Sequence, residues 1–450
     1  MLTSVTARVA VAQDTTKAQG VRVGISYVPG QRPGMLVLGG VRRDVLDSMR
    51  TILRRDLESS DRFEMVTLPG GDSLAVGVPA PVASAGRAPG SGGPARAAEP
   101  FVNYALYAAL GADYAVAVTP VDSGADVVVY DVRGQAARRH VPLVVRRLEV
   151  TAAAFRLAVH RASDEVVRIA AGTPGVAATR LLFVQSHRVY EVDADGQLLH
   201  GVVAAGASAL SPAWAPGGRR MAYMEMLLEG GASQNAGRLY VLDLETGQRT
   251  LVPPTATELN FTPAFSPDGS LLAFSRATGE GTDIFTYNLA GQCCLQRLTV
   301  GRFSDNLSPT FSPDGRRIAF ISDRPGLPQV YVMAPDGTGQ ELLAPFDYGA
   351  TGKSNAPDWS PDGLNVAFHR DVAGSPQIFV MDVASRTPRQ LTSEGRNEDP
   401  TWAPDSRHIA FVSDRTGTRQ IWVVDLDTGR VRQVTRVGDA RLPAWSPRIP

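Results

Sequence analysis

Cysteine is almost missing from this chain: Cys293 and Cys294, adjacent in sequence, are the only two among 450 residues. A disulfide between neighbours closes a strained ring, so the pair reads as two free thiols, and no disulfide framework supports the fold. A surplus of either charge is missing too, with 45 basic residues against 45 acidic ones. Such a balance exerts no long-range pull toward nucleic acid. No apolar run reaches the length of about 18 residues that a spanning helix needs. Catalytic signatures are also wanting. A serine hydrolase of the α/β type requires a Gly-x-Ser-x-Gly elbow followed by Asp and His, and the chain has no such elbow. Its six histidines, His140, His160, His187, His200, His369 and His408, show no metal-binding spacing. The expectation is a non-enzyme with no cofactor and no metal.

What is present is a repeat. Pro-x-Trp/Phe-Ser/Ala-Pro-Asp-Gly-x-x-Ile-Ala-Phe recurs from Pro212, Pro263, Pro309, Pro357, Pro400 and Pro443, at intervals of 43 to 51 residues, the length of a four-stranded propeller blade. Each part has a physical task. Pro309 opens a short strand where its missing N–H costs the sheet nothing. Pro313-Asp314-Gly315 makes a tight turn, and Ile318 to Ile321 returns as the second strand. The third strand is expected at Gln329 to Met333 and the fourth near Glu341. The sixth copy holds only one strand, Leu442 to Ser446. Its missing neighbours lie upstream, where Arg180 to Gln185 matches Arg317 to Ser322 and Arg188 to Val192 matches a third strand. The C-terminal strand is therefore expected to close the ring. The fold class is mainly β, a six-bladed propeller over 173–450 behind a small α/β domain over 21–172.

In that first domain, Val21 to Tyr27 alternates like a strand, and Val41 to Leu57 carries Val41, Val45, Leu46, Met49, Ile52, Leu53 and Leu57 at helical spacing. Strands are expected at Phe63–Leu68, Tyr114–Val118, Val127–Val132 and Leu148–Ala152, and helices at Val102–Leu110 and Ala153–Ala171. Gly, Pro, Ala and Ser dominate 70–98, a flexible insertion. Residues 1–20, with Ala10-Val11-Ala12 ahead of Gln13, read as the remnant of a secretory leader, the alternative being an unstructured tail.

The Pro-x-Trp-Ser-Pro-Asp-Gly repeats, the helix Ala158-Val159-His160-Arg161-Ala162-Ser163-Asp164-Glu165-Val166 and the run from Gly172 into the first propeller strand together resemble the TolB family, the propeller component of the Tol-Pal system of diderm bacteria. The resemblance covers the chain from about Val21 to Pro447. It implies a periplasmic protein that binds a Pal-like peptidoglycan-associated lipoprotein through its propeller and a TolA-like protein through its N-terminus. It implies support of outer-membrane integrity and of envelope constriction at division, with attachment to the outer membrane only through partners. Nucleic acid is not expected as a partner, and a monomer is. Another reading keeps the propeller but gives it a small ligand or glycan in the channel, outside the Tol system.

Topology divides the loops between two ends. Those entering each innermost strand share an end with the hairpins joining second and third strands, and the Pro-Asp-Gly turns lie at the other. The first end, the mouth, is expected to bind a partner through Asn260, Asp305, Asn306, Asn355, Asn397, Glu398, Asp439 and Arg441, ringed by Arg276, Asp323, Arg324, Asp414 and Arg415. Turn chemistry accounts for Asp193-Ala194-Asp195-Gly196 without calcium, which needs more converging oxygens. His160 is expected to be a structural hydrogen-bonding residue. Asp358 stands where the other copies carry Ala213, Ala264, Thr310, Thr401 and Ala444, and is expected to bond nearby backbone N–H groups, the alternative being a part in lining the channel.

Overall fold

The computed structural model describes residues 32–39, 44–68, 102–121, 124–134, 136–143, 152–203, 208–227, 236–253, 259–343 and 352–449. The leader remnant, the strand expected at Val21–Tyr27 and the 70–98 insertion lie outside them.

The α/β domain is a five-stranded sheet of β1 (Gly34–Val37), β2 (Glu64–Val66), β3 (Tyr114–Val121), β4 (Gly124–Asp131) and β5 (Ala136–Leu143), in the order β2-β1-β3-β4-β5. Strand β1 runs parallel to both neighbours, and the β3-β4-β5 meander is antiparallel. Side chains alternate between the faces of a strand. Met35 and Val37 accordingly join one core with helices α1 (Asp44–Ser59) and α3 (Ala152–Ala171), while Leu36 and Leu38 join the other beside Tyr107 of α2 (Tyr104–Ala109). Helix α1 buries Leu46, Met49, Leu53 and Leu57 at three- and four-residue steps, whereas Val45, one position off that stripe, is exposed. Strands β1 and β5 were not evident from the sequence. Gly34 of β1 approaches the Gly111 carbonyl so closely that a Cβ would sit 2.0 Å from the oxygen. The strand expected at Leu148 lies outside the described residues except for Ala152, which begins α3.

From Arg180 onward six four-stranded antiparallel blades follow. In each, the aromatic-rich second and third strands are buried, with Phe183, Phe274, Phe320, Phe368 and Phe411 fully enclosed. The turns fold as the sequence dictates. Gly269, Gly315 and Gly363 adopt φ of 70°, 69° and 76°, and the serine ahead of each turn accepts the N–H of Leu271, Arg317 or Asn365 at 2.9 Å. Every innermost strand carries a bulge at the residue before its proline: Ser211, Thr262, Ser308, Ala356, Asp399 and Leu442 all take φ between 48° and 53°. At this six-fold left-handed step the pairing of each innermost strand with its neighbour shifts register.

The closing blade has the strand order Arg441–Trp445, Arg180–Gln185, Arg188–Asp193, His200–Gly201. Ala444 faces Leu182, and Trp445 faces Leu181. Ser446 N donates to Arg180 O at 2.8 Å, Arg180 N returns a bond to Ser446 Oγ at 2.9 Å, and Trp445 Nε1 donates to Thr179 Oγ1 at 2.8 Å.

The cysteine expectation is corrected. Cys293 and Cys294, on the exposed outer strand Cys293–Arg297, are joined as a vicinal disulfide. This edge strand is irregular: its pairing register shifts next to Asn288, and Cys294 takes a φ of 64°, which lets the two neighbouring side chains turn to the same side.

Candidate protein-binding face

At the mouth, each described loop entering an innermost strand is stitched to the adjoining hairpin. Asp305 N donates to Asp323 Oδ1 at 2.7 Å, and Arg396 N to Asp414 Oδ1 at 2.8 Å. The eight residues assigned to this face from sequence fall into two groups. Asp305, Asp439 and Arg441 are exposed, and Asn355 and Glu398 are half-buried. Arg441 pairs with Asp439 at 2.9 Å, and its hydrogen bond holds that carboxyl below the usual carboxylate range. Glu398 accepts from Arg396 at 3.2 Å.

Asn260, Asn306 and Asn397 are different, and here the assignment is corrected. All three are 0% exposed. Each side-chain oxygen accepts from an arginine of its own blade: Asn260 from Arg276 at 2.8 Å, Asn306 from Arg324 at 2.9 Å and Asn397 from Arg415 at 3.1 Å. Each guanidinium also lies over aromatic rings of the second and third strands, Arg276 on Phe274 and Phe285, Arg324 on Phe320 and Tyr331, Arg415 on Phe411 and Trp422. The three arginines among the residues expected to ring the mouth are thus cation–π staples, and the asparagines orient them. In the blade of Asn355 the same place is filled by Arg370, which stacks on Phe368 and Phe379 and donates to Ser354 Oγ at 3.1 Å. The signal was in the sequence, as an arginine two or four residues after the second-strand Phe, but charge alone suggested solvent.

The mouth leads into a central channel of about 480 Å³ lined by the innermost strands. At the position one past each proline its wall is asymmetric, with Ala213, Ala264 and Ala444 on one side and Thr310, Asp358 and Thr401 on the other. Asp358 Oδ2 accepts the backbone N–H of Trp402 at 2.8 Å, the bond anticipated for it. Burial outweighs that bond and pushes the carboxyl up to about 6. Asp399 N donates to His369 Nδ1 at 3.2 Å, and burial holds that imidazole below its ordinary value.

The opposite end carries chemistry that turn propensity did not reveal. There the α/β domain docks on two buried ionic clusters. In the first, Arg156 of α3 binds Asp193 and Asp195, and His160, 1% exposed, contacts Asp56 Oδ2 of α1 at 2.8 Å. Although desolvation opposes it, the bonds to Asp193 and Asp56 raise the imidazole to about 9. In the second, Asp61 meets Arg430 at 2.9 Å and His408 at 3.6 Å, while Arg407 binds Asp425 and donates to Asp61 O at 3.1 Å. Both groups bring His and carboxylates together as a cation site would. Arginine already answers Asp195, Asp61 and Asp425, and Asp56 accepts from Ser163 Oγ at 2.6 Å besides meeting His160, so their chemistry is that of a weld between domains. His160 has the structural role expected of it.

Among the described residues no helix is long and apolar enough to cross a membrane. Comparison with known proteins agrees with the architecture. A Tol-Pal system protein TolB of Anaeromyxobacter sp. (strain K) is 36% identical over 202 residues, which are 43% of this chain and 44% of that protein. Its counterpart in Anaeromyxobacter dehalogenans (strain 2CP-C) is 36% identical over 203 residues, again 44% of its length. The chain thus spans less than half of the curated relatives it matches. The crystal structure of TolB from Acinetobacter baumannii superposes with a TM-score of 0.73 over 94% of this chain and 99% of that one, at 22% identity, and so shares the fold. The model of the TolB beta propeller domain matches residues 168–347 and 338–449, so the chain belongs to that family.

Proposed function

We propose that this chain is a non-catalytic, periplasmic, protein-binding component of the Tol-Pal system. It takes a Pal-like peptidoglycan-associated lipoprotein on the propeller mouth and a TolA-like partner through its N-terminal segment, supporting outer-membrane integrity and constriction at division. The observation that carries this reading is the unequal use of the ring's two ends. The turn end is occupied by the chain's own α/β domain, whereas the mouth leaves Asp305, Asp439 and Arg441 in water with Glu398 half-exposed beside them. Protein partners are recognised by such loops on a rigid scaffold.

The test is calorimetric binding of the purified chain to the soluble domain of the Pal-like lipoprotein from the same genome. Asp305→Arg with Asp439→Arg is expected to weaken the complex about tenfold or more, as charge reversals at a complementary interface do, with no change in melting temperature. Unchanged affinity removes the mouth from the reading.

A second reading, a propeller holding a small ligand or glycan, draws on the polar half of the channel around Asp358. A ligand retained by the wild-type chain and lost from Asp358→Ala, together with no lipoprotein binding, is the result that favours it.

A further inference from the structure

Phe303 is the most exposed large apolar residue among those described, at 92%, and Val300 in the same loop is 73% exposed. The ring supplies its own controls for this loop. Three described loops leave an outermost strand at a threonine and enter the next innermost strand: those starting at Thr299, Thr392 and Thr435. All are fastened by one device. Thr299 Oγ1 donates to buried Asp283 at 2.8 Å, Thr392 Oγ1 to Gln377 at 2.9 Å and Thr435 Oγ1 to Gln420 at 2.8 Å. The same acceptors then take the loop itself, from Gly301 N at 3.1 Å, Asn397 Nδ2 at 2.8 Å and Val437 N at 3.1 Å.

Against that shared frame the loop from Thr299 is two residues longer than the others, counted to the third residue before the proline. The added length carries Arg302 and Phe303 outward. In the loop from Thr392 the corresponding stretch is Ser393, Glu394, Gly395 and Arg396, all polar or glycine, and in the loop from Thr435 the one large apolar residue, Val437, packs against the core.

The extension is held rigid. Phe303 N donates to Glu280 O at 2.8 Å, and Asp305 N is bonded to Asp323. A Cβ on Gly301 would lie 2.2 Å from Ser304 Oγ, and one on Gly281 2.5 Å from Ser304 O. Phe303 itself takes a φ of 60°, a left-handed conformation uncommon for a bulky residue. An aromatic fixed in a strained backbone and aimed at water is costly to keep unless something covers it. A preorganised ring loses little freedom on binding, which is the property of an interface anchor.

We propose that Phe303 is the apolar anchor of the mouth, entering an apolar pocket on the protein partner whose rim carries both signs of charge, to oppose the exposed Arg302, Glu280 and Asp305. This rests on the reading of the mouth as a protein-binding face. Binding of the full chain to the soluble domain of the Pal-like lipoprotein is measured for wild type, Phe303→Ala and Phe303→Leu, with thermal melting as the control for folding. Phe303→Ala is expected to weaken binding about tenfold or more at an unchanged melting temperature, and Phe303→Leu to retain most of the affinity. Affinity of Phe303→Ala within about twofold of wild type, while Asp305→Arg with Asp439→Arg still weakens the complex, overturns the anchor and leaves the mouth reading standing. Absence of binding by the wild-type chain overturns both.

Discussion

At the turn end of the ring Asp193, Asp195, Arg407 and His408 meet the α/β domain; at the mouth Asp305, Asp439 and Arg441 meet water. The two ends are built from the same repeat and both carry charged residues, yet the charges do different work. Those at the turn end are largely buried and paired with one another, so each is needed by its neighbours. Those at the mouth stay hydrated and can be exchanged at little cost to folding. Charge in a propeller loop is therefore informative only once its burial is known.

The most drastic way to break this comparison is to remove the frame both ends share. Deleting 442–450 takes away the closing strand and also Arg448, which donates to Pro174 O at 3.1 Å. Loss of a cooperative thermal transition by circular dichroism is expected; a chain that still melts cooperatively near the wild-type temperature contradicts closure by this strand. A sharper comparison sets one arginine against another. Arg156→Ala removes the cation that Asp193 and Asp195 share at the interface, leaving only the longer contacts of Arg55 with Asp195 at 3.4 Å and of Arg180 with Asp193 at 3.9 Å, and is expected to lower stability by up to about 3 kcal/mol in urea titrations. Arg441→Ala, at the exposed mouth, is expected to cost less than about 0.5 kcal/mol. Equal losses would erase the distinction between the ends. A further test of the turn end is one of pH. His160 holds its proton to about 9 in the folded chain, above the ordinary histidine value of about 6.5, so its contribution is complete below about pH 6.5 and disappears as pH rises through 9. His160→Gln should flatten that part of the stability profile, measured by denaturant midpoints across the range.

The ring was legible because each copy of its repeat combines a proline, an aromatic residue and an Asp-Gly turn whose backbone demands are local. Even the split blade could be found, since Arg180 to Gln185 carries the second-strand pattern without its turn. Strand β1 was hidden because four apolar residues buried on both faces have no alternation to detect. The site was only half legible. Asp305, Asp439 and Arg441 are where loop polarity suggested, but Asn306 and Arg324 look equally polar in sequence and differ only through contacts made across a blade. Likewise Asp195 is a turn residue by spacing, and only the docking of α3 gives it Arg156 as a partner. Phe303 carried a signal, an aromatic in a loop two residues longer than its counterparts, that consensus reading of the repeat passes over.

The closing blade also sets an order of events. Arg180 and Ser446, which clasp each other through two hydrogen bonds, are separated by 266 residues along the chain. Joining ends so far apart is slow relative to forming hairpins within a blade, so the last blade completes after the others. Until then Arg180–Gln185, with Leu181, Leu182, Phe183 and Val184 in a row, has one bare edge, the kind of template on which strands from other chains add. The interval between synthesis of Arg180 and arrival of Trp445 is thus the chain's period of greatest exposure to aggregation, and whatever shields the nascent protein must persist through it.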